Sequence, residues 1–400
     1  MLDDFDFDKE SPFQPGHPVS PYYFKGRTKI VKKILRYLNK AEKGDVQHYF
    51  ITGEKGMGKT SLARYVQDFV QDKMVGVYIS NKGNHSLENL VKQILEELIN
   101  SAPKDSIKSK IKNIFGDYVE SIEVKGNKFN FKLDEYASRD IVDNFLYYLN
   151  KSYEELCTEK GIFLIIDDIN GLSESKEFVD WYKKFADSIE MKDYNIPLYI
   201  LLAGYPEKFN SLVNQDESFS RIFHYNHIDY LNSKEITEFF QDTFDSVGIK
   251  CDDDSLKYMV TFSEGIPLMM QEIGDSVFWE VEENIVNKEY AIKGIVEAGR
   301  LIGKRQIKPV MDKSIRSKNY ESILMKLGDK GFDSFKKSDF EKFLSPSEKK
   351  VFSKFLQRAT ELHILESIGK EKSGEYKFSN RLYLVYFMIL NLEKEYNLNG

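Results

Sequence analysis

The run GEKGMGKT, Gly53 to Thr60, places glycines, a lysine and a hydroxyl residue at the GxxxxGK[ST] spacing. Backbone amides around Gly53, Glu54, Lys55, Gly56, Met57 and Gly58 can close on an anion, and the helix that starts near Ser61 adds its positive end. Lys59 then reaches phosphate oxygens, and Thr60 offers a hard oxygen to magnesium. A second cluster, IFLIIDDIN, ends a strand-like apolar run in Asp167 and Asp168. In that setting Asp167 holds the metal together with Thr60, and Asp168 orients an attacking water as general base. The chemistry expected of the two clusters is binding of ATP or ADP with Mg2+, and phosphoryl transfer to water.

A phosphate loop works only between a strand and a helix. HYFIT (48–52) precedes it and SLARYVQDFV follows it. Further apolar runs stand at VGVYIS (75–80), IFLII (162–166), LYILLA (198–203) and YNHIDY (225–230). They alternate with helical patterns near 28–40, 60–72, 86–100, 140–158 and 175–190. This predicts an α/β fold of the P-loop NTPase kind, a parallel five-stranded sheet with right-handed crossovers over residues 21–230. VESIEVKGNKFNFKLD (119–134) alternates at period two around Gly126-Asn127 and predicts an inserted hairpin.

After residue 230 the period turns helical, near 233–247, 253–264, 266–284 and 289–303, which predicts a helical lid over 231–303. A linker is expected near 304–314. Residues 310–400 then read as helices near 317–328, 336–344 and 346–361, an ILESI strand, a GKEKSGE turn, a YKFS strand and a helix near 381–394. Three helices followed by a hairpin resemble a winged helix, a variant of helix-turn-helix. The first 20 residues mix Asp3, Asp4, Asp6 and Asp8 with Phe5 and Phe7, then Pro12, Pro15 and Pro18, and predict an extended arm.

Of 400 residues 41% are hydrophobic, enough for two or three cores. No apolar run approaches the ~20 residues of a membrane helix, and the acidic start MLDDFDFDKE is unlike a basic targeting signal, so no membrane partner and a cytoplasmic location are expected. Cys157 and Cys251 show neither disulfide nor zinc spacing. Residues 1–300 carry 37 basic against 51 acidic side chains, whereas 301–400 carry 20 against 13. Any surface that seeks an anionic partner therefore lies at the C-terminal end. In PSEKKVFSKFLQRATEL, Val351, Phe352, Phe355, Leu356, Ala359 and Leu362 form one face, while Lys350, Lys354 and Arg358 recur every fourth residue on another. With Lys370 and Lys372 in the turn, that stripe suits phosphates of double-stranded DNA.

PFQPGHPVSPYYFKGR, GEKGMGKTSLA, LIIDDI, LLAGYPEKF, SFSRIF and SEGIPLMMQEIG, in this order and followed by the winged-helix pattern, resemble AAA+/STAND-type P-loop ATPases close to the origin-recognition and transposition-regulator ATPases. The resemblance implies that Phe24, Gly26 and Arg27 lie against the adenine and the phosphate loop. It implies that Arg221 is an arginine finger reaching a neighbouring copy's γ-phosphate, so that the chain assembles with itself when nucleotide is bound. It also implies that Pro267, in Gly265-Ile266-Pro267, belongs to a lid turn closing over the nucleotide. Three departures are visible. Asp-Asp stands where relatives have Asp-Glu, Ala203-Gly204-Tyr205 stands where many place a polar sensor, and the lid offers no evident sensor arginine. The expectation is a slow ATPase acting as an assembly switch, on DNA and with an effector protein that receives its output. Two other readings stay open: a signalling or defence scaffold ATPase whose winged helix binds protein and not DNA, and a degenerate nucleotide-binding protein that holds ATP structurally.

Overall fold

The computed structural model describes residues 9–398 apart from 82, 84–85, 104–105, 127, 134, 158–159, 192–193, 312–316, 333 and 369–373. They form two compact units. One comprises Ser20–Glu54 and Gly58–Asp229; the other comprises the residues up to Val19, Lys55–Met57 and Tyr230 onward.

The first unit is built on β1 (Gln47–Thr52), β2 (Met74–Ser80), β3 (Val119–Lys125), β4 (Lys128–Leu133), β5 (Gly161–Asp167), β6 (Leu198–Gly204) and β7 (His224–His227). All five strands of the main sheet run parallel in the order β2-β5-β6-β1-β7. Every residue of β1, β5 and β6 is buried, because helices cover both faces. That is why these strands read as unbroken apolar runs. The register pairs Thr52 with Gly204 and Asp167 with Ala203, so the carboxyl ends of β1 and β5 lie at one edge with a single strand between them. At ~4.8 Å per strand, two side chains can close that gap.

The covering helices start where the sequence offers caps: Ser86 accepts from Asn89 N ahead of Leu87–Ser101, and Ser175 from Phe178 N ahead of Lys176–Glu190. The helix expected near 140–158 is two, Glu135–Asp143 and Phe145–Leu156, broken at Asn144 with φ −115° and ψ 32°. Helices Ile107–Phe115 and Pro206–Gln215 were not anticipated. β3 and β4 do pair antiparallel, although Asn127 of their turn lies outside the described residues. Asn100 binds the hairpin to helix Leu87–Ser101, donating to Phe129 O at 2.9 Å and accepting from Phe129 N at 2.8 Å.

In the second unit, helices Ser233–Asp245, Asp253–Ser263, Pro267–Glu280 and Lys288–Ile302 surround a two-residue pairing of β8 (Lys250–Cys251) with β9 (Ile285–Val286). The linker expected near 304–314 is largely helical: a π-turn Gly303–Ile307 runs on into Lys308–Met311, and 312–316 lie outside the described residues. Close packing explains the difference. A Cβ on Gly299 would sit 2.4 Å from Ile389, and one on Gly303 would sit 2.3 Å from Tyr386, so the helix seats the C-terminal helix Arg381–Glu395 directly on its backbone. The chain continues through Lys318–Lys330, β10 (Ser334–Lys336), Lys337–Phe340, Pro346–Glu361, β11 (Leu365–Ile368) and β12 (Glu375–Phe378), with an antiparallel sheet ordered β10-β12-β11. One apolar core joins Phe240, Ile273, Ile295, Leu324, Phe355 and Phe387.

The N-terminal arm lacks helix and strand over 9–19 but is anchored. Residues 1–8 lie outside the described residues, but Phe13 is buried, in a slot that exists because residue 274 is glycine. Its ring meets Phe239 edge-on at 5.8 Å and Phe244 at 4.9 Å, while Gln271 Oε1 accepts from Gln14 N at 2.7 Å. The Pro-rich composition could not reveal a single anchoring phenylalanine. No helix among the described residues is long and apolar enough to cross a membrane.

Helix Pro346–Glu361 is pinned at its start by a buried carboxylate. Glu348 accepts from Ser345 N at 2.6 Å, from Ser322 Oγ at 2.7 Å and from Lys326 Nζ at 2.6 Å. Burial opposes its ionisation, but Lys326 and the serine donors outweigh that and hold its pKa at about 2. Since the folded pKa lies below the unfolded one, this contribution is full at neutral pH and is lost as pH falls from about 4.5 toward 2. Glu348→Gln should therefore lower unfolding stability at pH 7 by about 2 kcal/mol. In denaturant titrations the gap to wild type should shrink at pH 3; a constant gap would remove the charge from the explanation.

Candidate nucleotide site

The site begins where β1 runs out. Gly53 is buried, and Gly56 (φ 85°) and Gly58 (φ 79°) take left-handed backbone that a side chain would oppose. Gly58 caps helix Lys59–Phe69 without a side-chain acceptor, which leaves the first-turn amides to whatever lies in front of them. Among the loop's other positions Glu54 and Ser61 are half-buried, Lys55 is exposed and Met57 is buried. Lys59 Nζ donates to Gly53 O at 2.6 Å and to Glu54 O at 2.9 Å, and stands 4.9 Å over the Tyr205 ring. Burial pushes its pKa below the ordinary lysine value, opposed by the charges of Asp167, Asp168, Glu207 and Glu54. An ammonium partly stripped of water and held by carbonyls is poised to exchange them for phosphate oxygens.

Asp167 closes β5 as a buried carboxylate. Its Oδ2 accepts from Thr60 Oγ1 at 2.5 Å and from Tyr78 OH at 2.7 Å. The two predicted metal-holding residues thus touch, across 107 positions of sequence. A hydroxyl and a carboxylate beside a phosphate loop are the hard oxygen set that magnesium takes from protein, the remainder coming from phosphates and water. The residues present fit Mg-ATP; bound there, magnesium would neutralise charge developing on the phosphate oxygens.

Asp168 is placed differently from its neighbour. It sits in left-handed backbone, φ 63° and ψ 55°, ahead of the short turn Ile169–Gly171, and its carboxylate accepts from Asn170 Nδ2. Asn170 Oδ1 in turn accepts from Tyr205 N at 3.2 Å. A Cβ on Gly204 would come within 3.0 Å of Ile169 and 3.4 Å of Asn170 Oδ1. The missing polar residue at 203–205 therefore has a steric cause: the neighbouring turn brings Asn170 into that space. Asn170 and Tyr78 were missed from sequence. An asparagine two places after an aspartate is a recognisable turn signal, whereas nothing in VGVYIS singles out Tyr78.

Phe24 stacks on Tyr65 at 4.5 Å, and Gly26 (φ 75°) and Arg27 (φ 59°) make a left-handed turn into helix Thr28–Ala41, with Arg27 buried. Arg221 is exposed in the short helix Phe219–Ile222, directly before β7. Pro267 opens helix Pro267–Glu280 in the other unit. Lys350, Lys354 and Arg358 are all exposed on helix Pro346–Glu361, whose opposite face buries Phe352, Phe355, Leu356 and Ala359; Arg358 pairs with Glu361 at 3.0 Å. Lys370 and Lys372 lie outside the described residues.

Residues 23–179 match the AAA ATPase domain. Across nearly the whole chain the fold is similar to that of the ORC2 protein of Aeropyrum pernix, solved as ADPNP-ADP complexes, with a TM-score of 0.54 at 12% identity, 94% of this chain and 96% of that one being covered. It is also similar to a Walker-type ATPase of Pyrococcus abyssi, with a TM-score of 0.53 at 16% identity over 91% of this chain and 96% of that one. These likenesses establish the fold, an α/β sheet of the P-loop AAA+ kind. No curated protein matches the sequence.

Lys59→Ala should weaken binding of a fluorescent ATP analogue by roughly 100-fold, the scale of a lost charge-assisted contact. Wild-type affinity in that variant, measured by anisotropy, would refute the loop's assignment.

Proposed function

We propose that this chain is an ATP-binding, slowly hydrolysing assembly switch whose C-terminal winged helix contacts double-stranded DNA and whose state is read by an effector protein. The observation that carries the reading is the contact of Thr60 with Asp167 beside Lys59, the hydroxyl, carboxylate and ammonium that Mg-ATP binding calls for, at the carboxyl end of a parallel sheet. The similar ORC2 structure, obtained with ADPNP and ADP, supports the nucleotide. Asp168 is the candidate base, and its hydrogen bond from Asn170 supports slow turnover, since a carboxylate tethered in its own turn must release that contact to orient a water. Arg221 is exposed and makes no ion pair among the described residues, which leaves its guanidinium available to a γ-phosphate held by a second copy. Phe24, Gly26 and Arg27 frame the nucleotide in this reading, and Pro267 remains the lid-turn candidate that the resemblance supplies.

For the DNA contact, three helices ending in Pro346–Glu361 and then the β11–β12 hairpin support the winged-helix assignment. The cation stripe Lys350, Lys354 and Arg358 supplies phosphate contacts; the exposed Arg358–Glu361 pair is weak enough to open. Lys370 and Lys372, in the sequence between β11 and β12, are the further cations this reading assigns to phosphate contacts.

Light scattering on the full chain should show assembly with a non-hydrolysable ATP analogue but not with ADP, and duplex DNA should strengthen it. Arg221→Ala is expected to bind nucleotide normally and to lose the part of ATP hydrolysis that rises with protein concentration. An unchanged rate excludes the finger role. Replacing Lys350, Lys354 and Arg358 together by alanine should cut duplex affinity and flatten the log Kd against log salt slope by about 2 to 3. Nucleotide-driven assembly with no duplex binding at low salt would instead make the helix a protein-docking surface.

A further inference from the structure

Tyr78 has no part in the motifs read from sequence, yet its hydroxyl is one of two donors on the carboxylate at the centre of the site. It lies on β2, the edge strand beside β5, at a register that pairs Tyr78 with Ile165 and Ser80 with Asp167. From there its OH donates to Asp167 Oδ2 at 2.7 Å, the same oxygen that accepts from Thr60 Oγ1 at 2.5 Å. The ring is clamped from the other side: the Arg64 guanidinium stands 3.4 Å from its centroid, and Arg64 Nη1 donates to Gln67 Oε1 at 3.0 Å. Arg64 is one turn beyond Thr60 on the same helix, so the phosphate-loop helix holds Asp167 twice, directly through Thr60 and indirectly through Arg64 and Tyr78.

We infer that Tyr78 is a positioning residue that fixes the metal-holding carboxylate, an inference resting on the nucleotide reading above. The χ2 torsion of an aspartate is broad and has no steep minimum of its own. Two hydroxyl donors converging on one oxygen set that torsion. The Thr60 hydrogen is spent on Asp167, so toward any other partner the hydroxyl oxygen acts as an acceptor. Outer partners of this kind tune a metal site through the orientation of its ligands rather than by touching the metal.

Tyr78→Phe separates this role from packing, because it keeps the ring under Arg64 and deletes only the hydroxyl. In the full-length protein, binding of a fluorescent ATP analogue would be measured in EDTA and across a Mg2+ titration, with Asp167→Asn as reference and thermal unfolding as control. The expected result is EDTA affinity within about 2-fold of wild type and a Mg2+ half-saturation raised by roughly 10-fold or more, while Asp167→Asn loses the Mg2+ response. Arg64→Gln should move the half-saturation the same way by a smaller factor. Superimposable Mg2+ titrations for wild type and Tyr78→Phe, with Asp167→Asn impaired, overturn the inference and leave the nucleotide site standing. Equal loss in EDTA and in Mg2+, with a lowered unfolding midpoint, also overturns it by making Tyr78 a packing residue. Absence of analogue binding in the wild type sinks the nucleotide reading itself, and this inference with it.

Discussion

The contact between Thr60 and Asp167 is the interaction around which the first unit is arranged. A hydroxyl on the helix after β1 and a carboxylate at the end of β5 belong to strands that are not neighbours, because β6 lies between them. They meet only if the parallel register is held along all three strands and if the chain can leave β1 in a tight left-handed turn. Continuous burial of β1, β5 and β6 supplies the first condition. Glycine at 56 and 58 supplies the second. A slip of one residue between β5 and β6 would move Asp167 by about 3.3 Å and turn its side chain to the other face of the sheet.

The two adjacent carboxylates then acquire different characters from the backbone alone. Asp167 remains in the strand and is gripped by hydroxyls, whereas Asp168 is swung into the left-handed region and tethered to Asn170. The same asparagine ties the turn to Tyr205 N, and the absence of a side chain at Gly204 makes room for it. The end of β6 thus contributes shape and a main-chain donor where a polar side chain was sought.

Legibility in the sequence followed the physics of burial. The central strands β1, β5 and β6 were readable because burial on both faces makes them mostly apolar, β2 and the more exposed β7 because shorter apolar runs follow the same alternation with helices, and the phosphate loop because its glycines, lysine and threonine have no common substitute. Features set by one long-range contact were not readable. Tyr78 is an ordinary strand tyrosine until Asp167 is brought beside it, and Phe13 looks like part of a solvated arm until Gly274 opens a slot for it. The helical stretch Gly303–Met311, where a linker was expected to begin, belongs to the same class. Charged and polar residues there matched a loop by composition, whereas Gly299 and Gly303 bring another helix close enough to keep the segment helical.

That last packing bears on how the protein can be taken apart. Gly299 and Gly303 receive Ile389 and Tyr386, Gly328 receives Phe387, and Arg300 reaches Glu393 at 2.7 Å, so the final helix is part of the same apolar core as the helices that begin at residue 233. A fragment starting near 310 would carry this helix with its glycine-backed seat removed and its apolar face open to water. Such a piece would tend to self-associate, and its behaviour toward DNA or protein would report exposed core instead of native surface. Cleavage near residue 230 keeps these helices together but parts them from Phe13, so domain-swap chimeras built with relatives should carry residues 9–19 along with the segment from 230.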